Sequence, residues 1–247
     1  MNLKLAWLYP DLMDTYGDRG NIQVLSRRCL LREIEMEVMP VSLGEAIPND
    51  VDLIFMGGAQ DRQQKIVIED LKKEKAESLR QMIEEGRPAL FVCAGFQLLG
   101  NYYQPAEGEK IMGLGIFDLM TQHPGAKVKR LIGNVVVDHL SFTEDKRMTL
   151  VGFENHGGRT YLGKLATPLG RVKIGLGNNG EDKNEGIQYK NAIGSYLHGP
   201  ILPKNPHLSE YLLRKALERK YGEVILEDLD DTLAWKAHAK AKQIARH

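Results

Sequence analysis

Two cysteines in 247 residues are too few for a disulfide framework, and their separation of 64 positions (93 − 29) matches no metal-ligand spacing. That excludes a stapled secreted scaffold and a zinc module, and it fits a reducing compartment. An excess of charge is also lacking: 33 Lys plus Arg meet 33 Asp plus Glu, so no global field draws the chain to nucleic acid or to an anionic membrane. No apolar run approaches the length of a membrane span, and the opening stretch Met1 to Tyr9, broken at Pro10, is too short for a signal peptide. We therefore expect no membrane insertion and a cytoplasmic location. Internal repeats and low-complexity linkers are absent, so the expectation is a single domain over 1–247 that includes C-terminal helices from about 206. A Gly-x-x-x-x-Gly-Lys-Ser/Thr phosphate loop is missing too, which leaves the chain without an evident means of using ATP.

What is present is an ordinary globular composition, 43% apolar, with strand and helix patterns alternating in the first hundred residues. Leu3 to Tyr9 reads as a first strand, followed by a turn-rich loop from Pro10 to Gly20 and a helix capped by Asn21, with Ile22, Leu25 and Cys29 inside, Leu30 a further candidate for that face, and Arg27, Arg28 and Arg32 outside. Cys29 is thus a core residue. Met36 to Leu43 and Val51 to Met56 read as strands two and three, and a helix from about Ile68 to Glu85 leads to a fourth apolar run. Such alternation predicts an α/β fold, a doubly wound, mainly parallel sheet with helices on both faces. The second half changes character. Segments around Leu131 to Leu140, Met148 to Phe153, Gly170 to Gly175 and Ile187 to Leu197 read as strands without long helices between them, an antiparallel β-rich extension. Helices over about Pro206 to Tyr221 and Asp231 to Arg246 close the chain.

The fourth run, Ala89 to Val92, stops at Cys93 and continues as a helix-like segment through Gly95 and Gln97. This is the strand-turn-helix pattern of a nucleophile elbow, with cysteine in the serine position. A thiol there sits at a helix N-terminus, which favours its thiolate, and the next backbone N–H can face a developing oxyanion. A free cysteine is just as readily a small core residue, and this stretch alone does not choose between the two. The glycine pair Gly57-Gly58 ends strand three, where loops of an open α/β sheet build ligand sites, although two glycines after a strand also make a plain turn. A cysteine nucleophile needs a base, and histidine has the suitable pKa. Two histidines end strand-like segments, His156 in Gly152 to Thr160 and His198 in Gly194 to Pro200.

Taken together, Gly57-Gly58, Cys93-Ala94-Gly95-Phe96-Gln97 and His198 resemble, in that order, the class I (triad-type) glutamine amidotransferases. Within that class the chain is similar to the cobyric acid synthase-like branch, and most of all to the glutaminase subunits of lipid II isoglutaminyl synthases. The longer blocks Tyr16 to Asn21, Gly152 to Thr160, Gly177 to Gly186 and Tyr196 to Asn205 carry that likeness over nearly the whole chain. The resemblance implies that Cys93 attacks the side-chain amide of glutamine and His198 is its acid-base partner. It implies further that Gly58 and Ala94 supply oxyanion N–H groups, that Arg130 holds the α-carboxylate and that Gln97 lines the pocket. It implies no metal or cofactor in this chain; ATP and Mg are expected on a Mur-ligase-like synthetase that would form a heterodimer with it and amidate the D-glutamate of lipid II. Without the resemblance Arg130 is simply an exposed charge beside a strand, and Gln97 a helix-surface residue. His156 is expected to be a loop or partner-contact residue, and Gly177 to Gly186 a surface turn.

Two departures stand out. Many class I members carry a glutamate two residues after the histidine, and here that position is Pro200, so a Cys-His dyad is expected in place of a triad. Ala94 replaces the glycine often found after the nucleophile. Competing readings are a stand-alone cysteine hydrolase of γ-glutamyl hydrolase or peptidase type, and a catalytically silent regulatory subunit.

Overall fold

The computed structural model describes residues 1–139 and 148–246. Strand β1 (Asn2–Leu8) is followed by α1 (Arg19–Leu30), β2 (Glu35–Val41), β3 (Leu53–Met56), α2 (Asp61–Asp70), α3 (Ala76–Glu84), β4 (Ala89–Val92) and α4 (Ala94–Leu98). Then come β5 (Tyr102–Gln104), β6 (Ile111–Met112), β7 (Leu119–Gln122), β8 (Leu131–His139), β9 (Thr149–His156), β10 (Arg159–Leu162), β11 (Gly170–Ile174), β12 (Asn184–Glu185), β13 (Ile187–Tyr189) and β14 (Ala192–Ser195). Helices α5 (Pro206–Tyr221) and α6 (Thr232–Ile244) end the chain.

The central sheet has the order β13-β14-β4-β3-β1-β2, parallel throughout except for β13. Alternation along its strands divides the core. Leu3, Leu5, Leu53, Phe55, Leu90 and Val92 pack toward α1 and α5, while Ala6, Leu8, Ile54, Met56, Ala89 and Phe91 pack toward α2 and α3. Strands β3 and β4 are buried on both faces, and this is why they appear in the sequence as unbroken apolar runs. The β-rich second half is built as two further four-stranded sheets, β10-β7-β5-β6 and β12-β11-β8-β9.

Several local expectations are corrected. Asn21 lies inside α1 and is buried, its Oδ1 accepting from Leu202 N at 3.0 Å, so it caps nothing. Arg28 points inward, where Glu210 and Asp231 hold it at 2.7 and 2.6 Å, and Arg32 reaches the same Glu210; Leu30 is the exposed residue of that turn. The second helical segment begins at Asp61, seven positions ahead of the expected Ile68 (68 − 61), and passes through a π-helical turn at Leu71–Lys75. Ile187 to Leu197 is a hairpin turning at Lys190-Asn191. The expected strand end Leu140 lies outside the described residues. Cys29 is in the core, as expected, and burial pushes its thiol up to about 12.

Candidate active site

Four loops meet at the C-terminal ends of neighbouring parallel strands. The loop after β1 carries Asp18, that after β3 carries Gly57 and Gly58, β4 runs into Cys93, and β14 continues to His198. Cys93 has φ 52° and ψ −108°, a left-handed conformation that a non-glycine residue adopts at a cost of about 1–3 kcal/mol. That bend ends β4, starts α4 and lifts the side chain out of the sheet; Cys93 N donates to Ser195 O at 2.8 Å, tying the elbow to β14. The glycines are required by proximity. A Cβ on Gly58 would stand 3.2 Å from both Cys93 Cβ and His198 Cε1, and one on Gly95 would stand 2.8 Å from Met56 O.

His198 is 1% exposed and is fixed by an antiparallel bridge to Phe153, with His198 N donating to Phe153 O at 2.8 Å. Its Nδ1 lies 3.5 Å from Asp18 Oδ1, and Asp18 is wholly buried. Burial alone would lower the imidazole pKa, but the neighbouring Cys93 sulfur and the Asp18 carboxylate outweigh it and hold the group up at about 10. The ring is therefore held protonated at neutral pH, between the Cys93 sulfur and the Asp18 carboxylate. Tyr16, itself at φ 60°, covers this pair edge-on, 4.9 Å from the His198 ring centre.

In front of Cys93 opens a cavity of about 500 Å³ whose wall includes Ala59, Asp61, Gln97, Arg130, Asn155 and His156. Arg130 is braced by Asn155, Nε donating to Oδ1 at 2.8 Å and a terminal nitrogen donating to the backbone oxygen at 2.7 Å, while Asn155 Nδ2 donates to the Tyr16 hydroxyl at 2.8 Å. Gln97 is buried and donates to the Tyr196 hydroxyl at 2.9 Å. His156 is stacked on Tyr196 with ring centres 3.5 Å apart, and Nδ1 donates to Gly158 O at 2.8 Å. Burial drives its pKa down to about 3, so it is neutral, with the proton on Nδ1.

Residues 4–206 match the model of the CobB/CobQ-like glutamine amidotransferase domain. The chain belongs to that family. It is 43% identical over 98% of its length to the GatD subunit of lipid II isoglutaminyl synthase (glutamine-hydrolyzing) from Staphylococcus aureus, covering 94% of that protein, and 43% identical over 90% of its length to the Streptococcus pneumoniae subunit of the same name, covering 84%. Cobyric acid synthases are more distant, for example 28% identity over 98% of this chain and 48% of the Pelotomaculum thermopropionicum protein. In fold it resembles a glutamine amidotransferase from Thermotoga maritima (TM-score 0.57, 18% identity, 99% and 95% of the two chains). It also resembles the glutaminase domain of Trypanosoma brucei CTPS (TM-score 0.57, 11% identity, 91% and 96%). The α/β class I amidotransferase fold expected from the sequence is thereby established.

Within this CobB/CobQ-like site the residues singled out from the sequence come together: Cys93, Gln97 and Arg130 line the cavity, Gly58 packs against Cys93 and His198, and Ala94 follows Cys93 as the first residue of α4. Four expectations change. Gly58 N–H does not face the oxyanion position; it donates to Asp18 Oδ2 at 2.7 Å. Ala94 N–H, at the first position of α4, has no acceptor within the helix, which leaves it available for the expected role. The dyad acquires a third group, because Asp18 supplies from the β1 loop the carboxylate that Pro200 cannot. His156 is 2% exposed, which removes it as a partner contact. The Gly177 to Gly186 loop is a surface turn only at its tip, Glu181 to Lys183; its two ends are buried, with Asn178 and Gly186 exchanging bonds of 3.1 and 2.7 Å and Asn179 Nδ2 donating to Thr160 O at 3.1 Å. Its last acidic residue, Glu185, accepts from Ser195 Oγ and Tyr196 N at 2.8 and 2.9 Å, and burial raises its pKa to about 7. Asp18 was missed because it lies 180 positions from His198 (198 − 18), and Glu185 because its two-residue strand shows no pattern of its own; the polar density of Tyr16 to Asn21 and Gly177 to Gly186 was the available signal.

Proposed function

We propose that this chain is the glutamine-hydrolysing subunit of a lipid II-amidating synthase, acting through a Cys93-His198-Asp18 triad. The observation that carries the chemistry is the meeting of Cys93 with the buried His198 beneath the Gly57-Gly58 loop. The Cys93 thiolate attacks the side-chain carbonyl carbon of glutamine, and the Ala94 N–H stabilises the oxyanion. His198 then gives its proton to the departing nitrogen as the carbon–nitrogen bond breaks, releasing ammonia and leaving a γ-glutamyl thioester. A water molecule surrenders a proton to His198 as it adds to the thioester; collapse expels the Cys93 thiolate and yields glutamate. Asp18 keeps Nδ1 protonated and the ring oriented. Arg130, already braced by Asn155, binds the substrate α-carboxylate through its guanidinium fork, and Gln97 lines the amide end of the pocket.

The GatD relatives supply the acceptor side of this reading. Ammonia passes to a Mur-ligase-like partner that binds ATP and Mg and amidates the D-glutamate α-carboxylate of lipid II in the cytoplasm, this chain forming one amidotransferase unit over its whole length. The test is ammonia release from glutamine by the full chain, alone and with the candidate synthetase, together with labelling by a thiol-directed glutamine analogue. Release that depends on Cys93, with label on Cys93 and none on Cys29, is expected. Release without label at Cys93 would overturn the mechanism.

A further inference from the structure

A free amino acid presents an anion and a cation on one carbon, so a pocket selective for it needs a partner for each. Resting on the glutaminase reading above, we infer that Asp61 binds the α-ammonium group of glutamine and thereby restricts the site to substrates with a free α-amino group. Among the described residues lining the cavity, Asp61 is the sole carboxylate, while Arg62 and Arg130 supply cationic side chains. Its place is set by the catalytic loop itself. Asp61 is the first residue of α2 and follows Gly57-Gly58-Ala59-Gln60 directly, so it moves with the backbone that packs against Cys93 and His198.

One carboxylate oxygen is already committed: the hydroxyl of buried Tyr103 donates to Asp61 Oδ1 at 3.0 Å, which fixes the side-chain rotamer. No ion pair to Asp61 occurs among the described residues, so Oδ2 has no cation of the protein's own. His123 stands within electrostatic reach of both Asp61 and Arg130, which means that the two opposite charges border the same space. An ammonium seated on Asp61 and a carboxylate on Arg130 orient the amino acid head by two points, and the side-chain amide is left to reach Cys93. A peptide-linked or N-acylated glutamine carries no such cation and forgoes the charge-assisted bond to Asp61.

The experiment compares kcat/KM for glutamine and for glutaramate, the analogue without the α-amino group, in the full chain and in Asp61→Asn, each alone and in complex with the synthetase. Asparagine keeps the acceptor for Tyr103 and removes only the charge. The unmodified chain should prefer glutamine by roughly 10- to 100-fold, the span of one charge-assisted hydrogen bond. Asp61→Asn should lose that preference by falling on glutamine, mainly through KM, while staying within about 3-fold on glutaramate. Equal losses on both compounds would assign Asp61 a structural role and overturn the inference with the glutaminase reading intact. Equal hydrolysis of both compounds by the unmodified chain would do the same. Failure of the unmodified chain to hydrolyse glutamine at all would overturn the glutaminase reading and this inference with it.

Discussion

Replacing Asp18 by asparagine should move the alkaline limit of glutamine hydrolysis toward neutrality as well as slow it. The carboxylate lies 3.5 Å from His198 Nδ1 with both groups buried. At an effective dielectric constant of about 20, two unit charges at that distance interact by about 5 kcal/mol, and part of this is offset by the desolvation of the pair. An opposite charge at such range shifts a pKa by roughly 1–3 units. Burial lowers the His198 pKa, but Cys93 and Asp18 outweigh it and hold the group up at about 10, so without the Asp18 charge its titration should fall to roughly 7–9. The sign follows from the raised pKa: the imidazolium is lost as pH rises through the folded-state value, so lowering that value brings the loss of activity to lower pH. For the same reason the pair contributes stability that is complete below the unfolded histidine value of about 6.5 and disappears as pH climbs through about 10. At neutral pH kcat/KM should drop by roughly 10²-fold or more, within the range of general acid-base catalysis. The assay is ammonia release from glutamine between about pH 6 and 11, with circular dichroism to confirm the fold. An unmoved alkaline limb with an unchanged rate would refute the role given to Asp18.

Arg130→Ala should raise KM for glutamine by roughly 10- to 100-fold and change kcat little, because the guanidinium binds the head of the substrate alike in ground and transition states; steady-state kinetics with an unchanged KM would count against it. Glu185→Gln tests the buried carboxylate behind His198. Its pKa is raised from 4.5 to about 7 by burial, so the wild type holds this contribution fully below pH 4.5 and loses it as pH rises through 7, by roughly 3 kcal/mol at the upper end. Glutamine keeps an acceptor for Ser195 and Tyr196, so the variant should gain stability relative to wild type between pH 5 and 8 in urea unfolding curves. Parallel pH profiles would show that Glu185 does not titrate there.

How much of this was legible in the sequence follows from which interactions are local. Ala89 to Val92 running into Cys93 is local, and so is the 3.6-residue periodicity of α5, whose bounds Pro206 and Tyr221 agree with the expectation. The short strands Tyr102–Gln104, Leu119–Gln122 and Arg159–Leu162 were not legible, since three or four residues carry too little alternation to stand out and owe their form to pairing with one another. The inward turn of Arg28 was concealed for a related reason: helical periodicity places it at the edge of the apolar face, and only Glu210 and Asp231, about two hundred positions away, make burial tolerable. In the site, Cys93, His198 and Arg130 stood out through motif order and resemblance. Asp18 did not, because the resemblance directed attention to position 200, whereas the fold brings the end of β1 next to the end of β3 and so delivers a carboxylate from the opposite end of the sequence.

The central claim is that the chain supplies ammonia through Cys93 to a separate amidating subunit. The most direct measurement follows amidation of lipid II by the full chain and the proposed Mur-ligase-like synthetase with ATP, using either glutamine or high ammonium as nitrogen source, for wild type and Cys93→Ala. Removing one thiol from the elbow spares the packing around it but abolishes the thioester. The account predicts that Cys93→Ala fails with glutamine and still supports amidation from ammonium. Equal failure with both nitrogen sources, or amidation from glutamine that survives the loss of Cys93, would contradict it.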